Sequence, residues 1–161
     1  MTYHQIYNVP IKIVRPFNVY GPGMLLDDYR VVPTFISFAF KKKPLPVHDQ
    51  GNQTRTFCYI SDAIAGFLKV ILSKENGEIF NVGNDDNEIS MLGLATIIKT
   101  IFKGKVIIHT IPYPKRYPQE EPKRRCPDIN KIRSRLGYVP SITLEQGLRR
   151  VVRWYKGEYG L

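Results

Sequence analysis

Apolar residues recur three and four positions apart in several stretches of the chain, and short apolar runs separate them. Residues 3–8 read as the last turn of a helix, stopped at Asn8 ahead of Pro10. Val31–Phe40 carries enough apolar residues for a helix, with Pro33 tolerated in its first turn. Ser61 and Asp62 stand where caps would open a helix over Ala63–Leu72, whose stripe of Ile64, Phe67, Leu68 and Ile71 predicts its buried face. Ser90 opens an amphipathic helix running to Phe102, with Leu94, Ile97, Ile98 and Ile101 on one side. Asp128–Leu136 predicts a short helix stopped by Gly137. Thr143 and Gln146 form a capping-box pattern that starts a last helix, ending near Tyr155.

The remaining apolar runs predict strands at Ile11–Phe17, Thr54–Ile60, Glu78–Val82 and Val106–Ile111, with a short extended piece at Pro44–His48. Strands alternate with helices, so the class is α/β. The strands are too few for a complete doubly wound sheet. There are no internal repeats and no low-complexity segments, and 161 residues suit a single domain over residues 1–161.

Composition narrows this picture a little. No apolar run approaches the roughly 18–20 residues of a membrane span, and the first residues lack a signal-peptide pattern. Cys58 and Cys126 stand alone, without zinc-ligand spacing, so a reducing cytoplasm is the simplest expectation and no metal site is expected. Twenty-four basic against fourteen acidic residues give a net charge of +10, a surplus that can mark a nucleic-acid or membrane-surface binder. The basic residues are dispersed, however, and crowd only at Lys41–Lys43 and Lys123–Arg125. The first cluster follows a predicted helix and suits its C-terminal dipole. The second lies in the Pro-rich loop Pro112–Pro127, where it could hold a phosphate. Nucleic acid is therefore a minor reading, and no membrane partner is expected.

Four segments carry the chemistry: Arg15-Pro-Phe-Asn18 with Tyr20-Gly-Pro22; Gln53-Thr-Arg55 followed by Tyr59-Ile-Ser-Asp62; Asn81-Val-Gly83; and Arg125-Cys-Pro-Asp128 ahead of Leu136-Gly137. In this order and spacing they resemble the extended short-chain dehydrogenase/reductase family of NAD-dependent sugar-nucleotide epimerases, dehydratases and decarboxylases. Tyr29-Arg-Val-Val32 and the Lys123–Asp128 run are similar to its UDP-glucuronate decarboxylase branch. The resemblance covers nearly the whole chain. It implies the C-terminal, substrate-binding portion of such a fold, with the last strands of a truncated Rossmann-type sheet.

The resemblance implies a UDP- or dTDP-sugar as ligand. Asn18 would donate its amide to the diphosphate or the sugar; read from the residues alone, it could equally close its own turn. Arg55 and Arg125 would hold the diphosphate, a task guanidinium forks suit because they bind such oxygens bidentately, with Gln53 beside them. Val31, Val32 and His48 would line the base pocket, His48 standing where decarboxylases have Tyr. Arg30 would act as a charge clamp near the sugar. An acid role for it is left open, since a guanidinium is a poor proton donor. Pro16, Phe17 and Val19 would border the nicotinamide of NAD, and they are equally good core and turn residues. Arg15, Asp62, Arg124 and Arg149 read as scaffold or surface residues. The acidic trio Asp85, Asp86 and Glu88 resembles a metal cluster only superficially.

Two parts of the family's hydride machinery do not occur in this sequence. One is a Gly-x-x-Gly-x-x-Gly turn for the NAD pyrophosphate; the other is a Tyr-x-x-x-Lys pair, in which lysine lowers the tyrosine pKa. No catalytic residue is therefore assigned, and by family spacing the pair would fall just before Met1. The expectation is a substrate-binding half, inactive alone, that binds NAD weakly or not at all. It would self-associate or be completed by an N-terminal half. The alternatives are a non-enzymatic nucleotide-sugar or phosphate-binding module and a basic nucleic-acid-binding domain.

Overall fold

The computed structural model describes residues 1–86, 88–114 and 122–161. Along the chain run α1 (Thr2–Tyr7), β1 (Lys12–Pro16), β2 (Val19–Tyr20), α2 (Val31–Phe40), β3 (Leu45–His48), β4 (Thr54–Arg55) and β5 (Cys58–Tyr59). They are followed by α3 (Ile60–Leu72), β6 (Glu78–Val82), β7 (Ile89–Ser90), α4 (Met91–Ile101), β8 (Ile108–Ile111), β9 (Arg124–Arg125), α5 (Asn130–Leu136) and α6 (Leu144–Tyr159). The architecture is α/β, with its strands paired in small, mostly parallel sheets.

Two regions with separate cores make up the chain. In the smaller, β1 and β6 pair in parallel from Lys12↔Glu78 to Pro16↔Val82. Phe80 and Val82 are buried there against Ala63 and Val70 of α3, Ile132 of α5, and Tyr138. The larger core joins α2, α4 and α6 to β3 through Phe35, Ile36, Leu45, Val47, Leu94, Ile98, Leu148, Val151 and Tyr155. Here β3 pairs in parallel with β8, and β4 lies between antiparallel β7 and parallel β9.

Local signals fold as the sequence dictates. Ser90 accepts a hydrogen bond from the Gly93 amide at the start of α4. Thr143 and Gln146 make both bonds of a capping box. Gly137 ends α5 in the left-handed conformation at φ 60°. α2 and β6 have the expected ranges, while α6 runs one turn past Tyr155.

Three expectations are corrected. The single strand Thr54–Ile60 is two short strands serving different sheets, and Ile60 belongs to α3. Thr56 and Phe57 separate them because the Thr56 carbonyl accepts from the Asn18 side chain rather than from a ladder. Ser61 and Asp62 do not cap α3, whose N-cap is Tyr59 without a side-chain cap bond. Asp62 instead accepts from the Ser141 amide (3.1 Å), the Ser141 hydroxyl (3.2 Å) and the Ile142 amide (2.9 Å), and so ties α3 to the approach to α6. Finally, the apolar stripe of α3 faces outward except for Phe67, which is partly buried against the smaller core. The helix buries Asp62, Ala63, Gly66 and Val70, while Ile64, Leu68, Ile71 and Leu72 are exposed. The small face turns inward because α3 lies close on the strand pair: a Cβ on Gly66 would sit 2.6 Å from a Val82 methyl.

Candidate functional site

A cavity of about 480 Å³ opens at the edge of the larger core. All eight residues expected to bind substrate line it: Asn18, Arg30, Val31, Val32, His48, Gln53, Arg55 and Arg125. They come from five separate elements or loops, and the fold brings them together.

The arginines owe their arrangement to strand register. Arg55 of β4 and Arg125 of β9 are direct partners in a parallel ladder, as are Thr54 and Arg124. Direct partners share a face of the sheet and neighbours along a strand take opposite faces. Arg55 and Arg125 therefore stand side by side toward the cavity. Arg124, on the other face, is held bidentately by Glu88 at 2.8–3.0 Å, and Glu88 also accepts from the Thr54 hydroxyl. Arg55 is only 9% exposed, with Nη1 anchored on the Thr54 carbonyl at 2.8 Å. A pair of adjacent guanidiniums, Arg55 buried and Arg125 exposed, suits a ligand with adjacent anionic oxygens.

Beside them, Gln53 has its backbone carbonyl occupied by the Met91 amide. Among the described residues its side-chain Oε1 is buried without a hydrogen-bond partner. A buried acceptor left open costs free energy until a donor reaches it, so this atom marks a place for a ligand hydroxyl or N–H. Asn18 occupies the left-handed region at φ 43°, which Asn tolerates, and its Nδ2 donates to the Thr56 carbonyl at 2.8 Å. That bond uses one of two amide hydrogens, so the turn-closing role and a ligand role coexist in one side chain.

The far wall is aromatic. His48, at the end of β3, stacks on Tyr113 with ring centroids 5.2 Å apart and planes 11° from parallel. His48 Nδ1 lies 3.4 Å from the Pro112 carbonyl. Tyr113 was not foreseen from sequence, because nothing local in a Pro-rich loop reveals a ring that meets β3 in space. Met24 and Met91 also line the cavity without a sequence signal, as does Tyr29, which opens the Tyr29–Val32 motif.

Arg30 forms the N-cap of α2 and lines the mouth of the cavity. The Asp28 carboxylate grips it through Nε at 3.0 and 2.9 Å and through Nη2. This pairing lowers the Asp28 pKa and raises that of Arg30 further, which argues against Arg30 as a proton donor and for a permanent positive charge.

Of the three residues expected near a nicotinamide, Val19 lines the cavity. Pro16 and Phe17 lie outside it, at the C-terminal end of β1, where the Phe17 amide bonds the Val82 carbonyl at 2.9 Å. Ligands of parallel sheets sit off such strand ends. The chain's own residues there offer a Pro ring and a half-buried Phe, with no Gly-rich turn, and so fit one border of a dinucleotide but not its pyrophosphate.

Two of the acidic trio are taken up by structure: Asp85 holds Arg133 at 2.7 and 2.9 Å, and Glu88 holds Arg124. Among the described residues no cluster of three or more His, Cys, Asp or Glu could hold a metal, and no helix is long and apolar enough to cross a membrane. Arg149 pairs with Glu145 one helical turn away, as a surface residue would. The Lys123–Arg125 cluster, expected as a phosphate holder, divides: Arg125 lines the cavity while Arg124 pairs with Glu88; residues 115–121 of the Pro112–Pro127 loop lie outside the described residues.

The fold is α/β with a cavity at the edge of its larger core, and comparison with known proteins gives the family. The sequence profile of the NAD dependent epimerase/dehydratase family matches residues 1–83, more than half of the chain, and the chain belongs to that family. UDP-glucuronic acid decarboxylase 2 of Arabidopsis thaliana is 37% identical over 156 residues, which are 97% of this chain and 34% of that protein. Among solved structures, Epimerase Mth375 of Methanothermobacter thermautotrophicus superposes with a TM-score of 0.89 at 29% identity, covering 99% of this chain and 47% of its own. UDP-glucuronic acid 4-epimerase of Bacillus cereus, solved with UDP-glucuronic acid and NAD, gives 0.85 at 31% identity, covering 97% and 48%. The chain thus spans about a third of that decarboxylase's length and about half of each of these two solved chains.

Proposed function

We propose that this chain forms the nucleotide-sugar-binding wall of an NAD-dependent epimerase/dehydratase, taking a UDP-sugar, or less closely a dTDP-sugar, in the UDP-glucuronate decarboxylase branch. The observation that carries this reading is the ladder pairing of Arg55 with Arg125 on the cavity face. The pair supplies two guanidinium forks for a diphosphate. Asn18 adds a neutral amide donor, the open Gln53 oxygen accepts from a hydroxyl, and the His48–Tyr113 stack offers an aromatic wall for a base.

NAD would supply hydride transfer. This chain's part is to bind and orient the sugar nucleotide, with Pro16, Phe17 and Val19 bordering the nicotinamide. The sequence carries neither the Gly-rich turn nor the Tyr-x-x-x-Lys pair. By itself the chain therefore binds substrate without turnover, and activity requires an N-terminal half that contributes both.

Calorimetric titration with UDP tests the reading. Arg55→Met should weaken binding by about a hundredfold and Arg125→Met by about tenfold, as expected for losing charge-assisted hydrogen bonds. Arg124→Met, on the opposite face, should change it less than about twofold. Equal effects of all three would show binding to diffuse charge and defeat the assignment.

A further inference from the structure

Two lysine runs, far apart in sequence, meet at one end of the larger region. Lys41, Lys42 and Lys43 follow α2, and Lys103 and Lys105 follow α4. The Phe40 and Phe102 rings join the two helix ends edge to face, with centroids 5.0 Å apart. β3 and β8 then start side by side, the Leu45 amide bonding the Ile107 carbonyl at 2.8 Å. Every one of these lysines is exposed, and among the described residues none makes a side-chain hydrogen bond or ion pair. Residues 29–48 and 89–111 hold no Asp or Glu, so no acid on α2, β3, α4 or β8 offsets the charge.

The helix ends do not account for these lysines. A C-terminal dipole favours charge within the last turn, yet the last turn of α2 has no basic residue and that of α4 already has Lys99. The terminal carbonyls are met by backbone amides: those of Lys41, Lys42 and Lys43 bond Ser37, Ala39 and Phe38, and those of Lys103, Gly104 and Lys105 bond Thr100, Lys99 and Phe102. Lys42 and Lys103 moreover sit in the left-handed region, at φ 54° and 56°, where Gly is at ease and Lys is strained. The chain thus keeps exposed charge at two positions whose backbone favours a residue without a side chain.

The make-up of the surface selects among polyanions. It has no arginine for bidentate phosphate contacts, and Phe40 and Phe102 face each other, partly buried, rather than offering a ring to a base. It does have Ile107, 69% exposed, and an exposed Pro44 among the lysines. Ammonium groups around an aliphatic side chain match a bilayer surface, where headgroups meet the charges and the apolar group reaches the acyl boundary. The cavity opens at the opposite ends of the same elements, by Arg30 ahead of α2 and His48 at the end of β3.

We propose that the lysine-bearing end of α2 and α4 is a docking surface for an anionic lipid bilayer, which holds the cavity turned away from the membrane. This departs from the expectation of no membrane partner, which rested on the dispersal of charge along the sequence and the lack of a spanning segment.

Flotation with phosphatidylcholine vesicles, with and without phosphatidylglycerol, tests the proposal at physiological ionic strength. The unsubstituted chain should float only with the anionic lipid. A lysine near such a surface multiplies partitioning about fivefold, so Lys42→Gly with Lys103→Gly should lower binding about twentyfold. That same pair should raise the thermal unfolding midpoint, because glycine relieves both left-handed positions, and lost binding is then not lost folding. Arg15→Gln with Lys74→Gln removes equal charge from the smaller region and should change binding less than about twofold, since charges beyond a Debye length are screened. Ile107→Ser should lower binding about fivefold by removing the apolar contact. Absence of flotation with anionic lipid, equal flotation without it, an equal loss in the Arg15–Lys74 pair, or no loss in Ile107→Ser overturns the proposal. Tighter binding of a DNA duplex or of polyglutamate than of the vesicles makes nucleic acid or an acidic protein the partner, and overturns it too.

Discussion

The larger region closes around its core beside a cavity; the smaller keeps an open strand edge and an exposed helix face. In the larger, β3, α2, α4 and α6 bury their big apolar side chains. In the smaller, β1 has β6 on one side and, among the described residues, no strand on the other. Parallel strands are ordinarily buried within larger sheets. Around this edge α1 buries nothing, with Tyr3, Ile6 and Tyr7 each about two-thirds exposed, and α3 presents Ile64, Leu68, Ile71 and Leu72 to solvent. The difference teaches that the cavity region folds around its own core, whereas the smaller sheet keeps an exposed edge and an apolar helix face.

The comparison is broken most sharply at that face. On its own at high concentration the chain should self-associate, because an unpaired strand edge and an apolar helix face recruit partners. Replacing Leu68 and Ile71 together by Lys should weaken association by about a hundredfold with little loss of thermal stability, since both side chains are already exposed. Analytical ultracentrifugation checks this, and an unsubstituted chain that stays monomeric ends the idea.

The converse test is made inside the larger region. A Cβ on Gly147 of α6 would lie 2.0 Å from the Tyr20 hydroxyl and 2.8 Å from the Tyr59 ring. Both rings are buried, and Tyr20 donates to the Leu144 carbonyl. Gly147→Ala should cost about 1–3 kcal/mol in denaturant unfolding. A neutral result would mean that this core is looser than the smaller one.

A finer contrast comes from pH. Cys58 is buried in the smaller core, and burial pushes its thiol up to about 11. The unfolded chain would ionise it near its ordinary value, from about pH 8.5 upward. The folded chain thus keeps a proton the unfolded one releases. The associated stability is intact below that value and is lost as pH rises toward 11, by about 3 kcal/mol. Cys58→Ala should flatten this alkaline slope in urea titrations; an unchanged slope would place its origin in the buried tyrosines.

How much of this was legible in the sequence follows the reach of each signal. Ser90, Gly137 and the Thr143–Gln146 box act within four residues, and each sits where the sequence put it. The buried face of α3 depends on what it meets, and the strand pair wanted Ala63, Gly66 and Val70 rather than the larger stripe. Asp62 bonds residues about eighty positions away, so a local reading could only make it a cap. The eight residues that motif resemblance named for the ligand line one cavity, but it could not foresee the Tyr113 stack or the Asp28 grip on Arg30.

The β4–β9 ladder has a last consequence, one of parity. Lys123, Arg124 and Arg125 are chemically near-interchangeable, yet one arginine faces Glu88 and the next faces the cavity. What separates them is odd or even position along two residues of strand. A single-residue deletion between Tyr113 and Arg124 that slid β9 by one step would exchange their duties without altering a functional side chain. Register on β4, more than residue identity within β9, is therefore what keeps the second arginine aimed into the cavity.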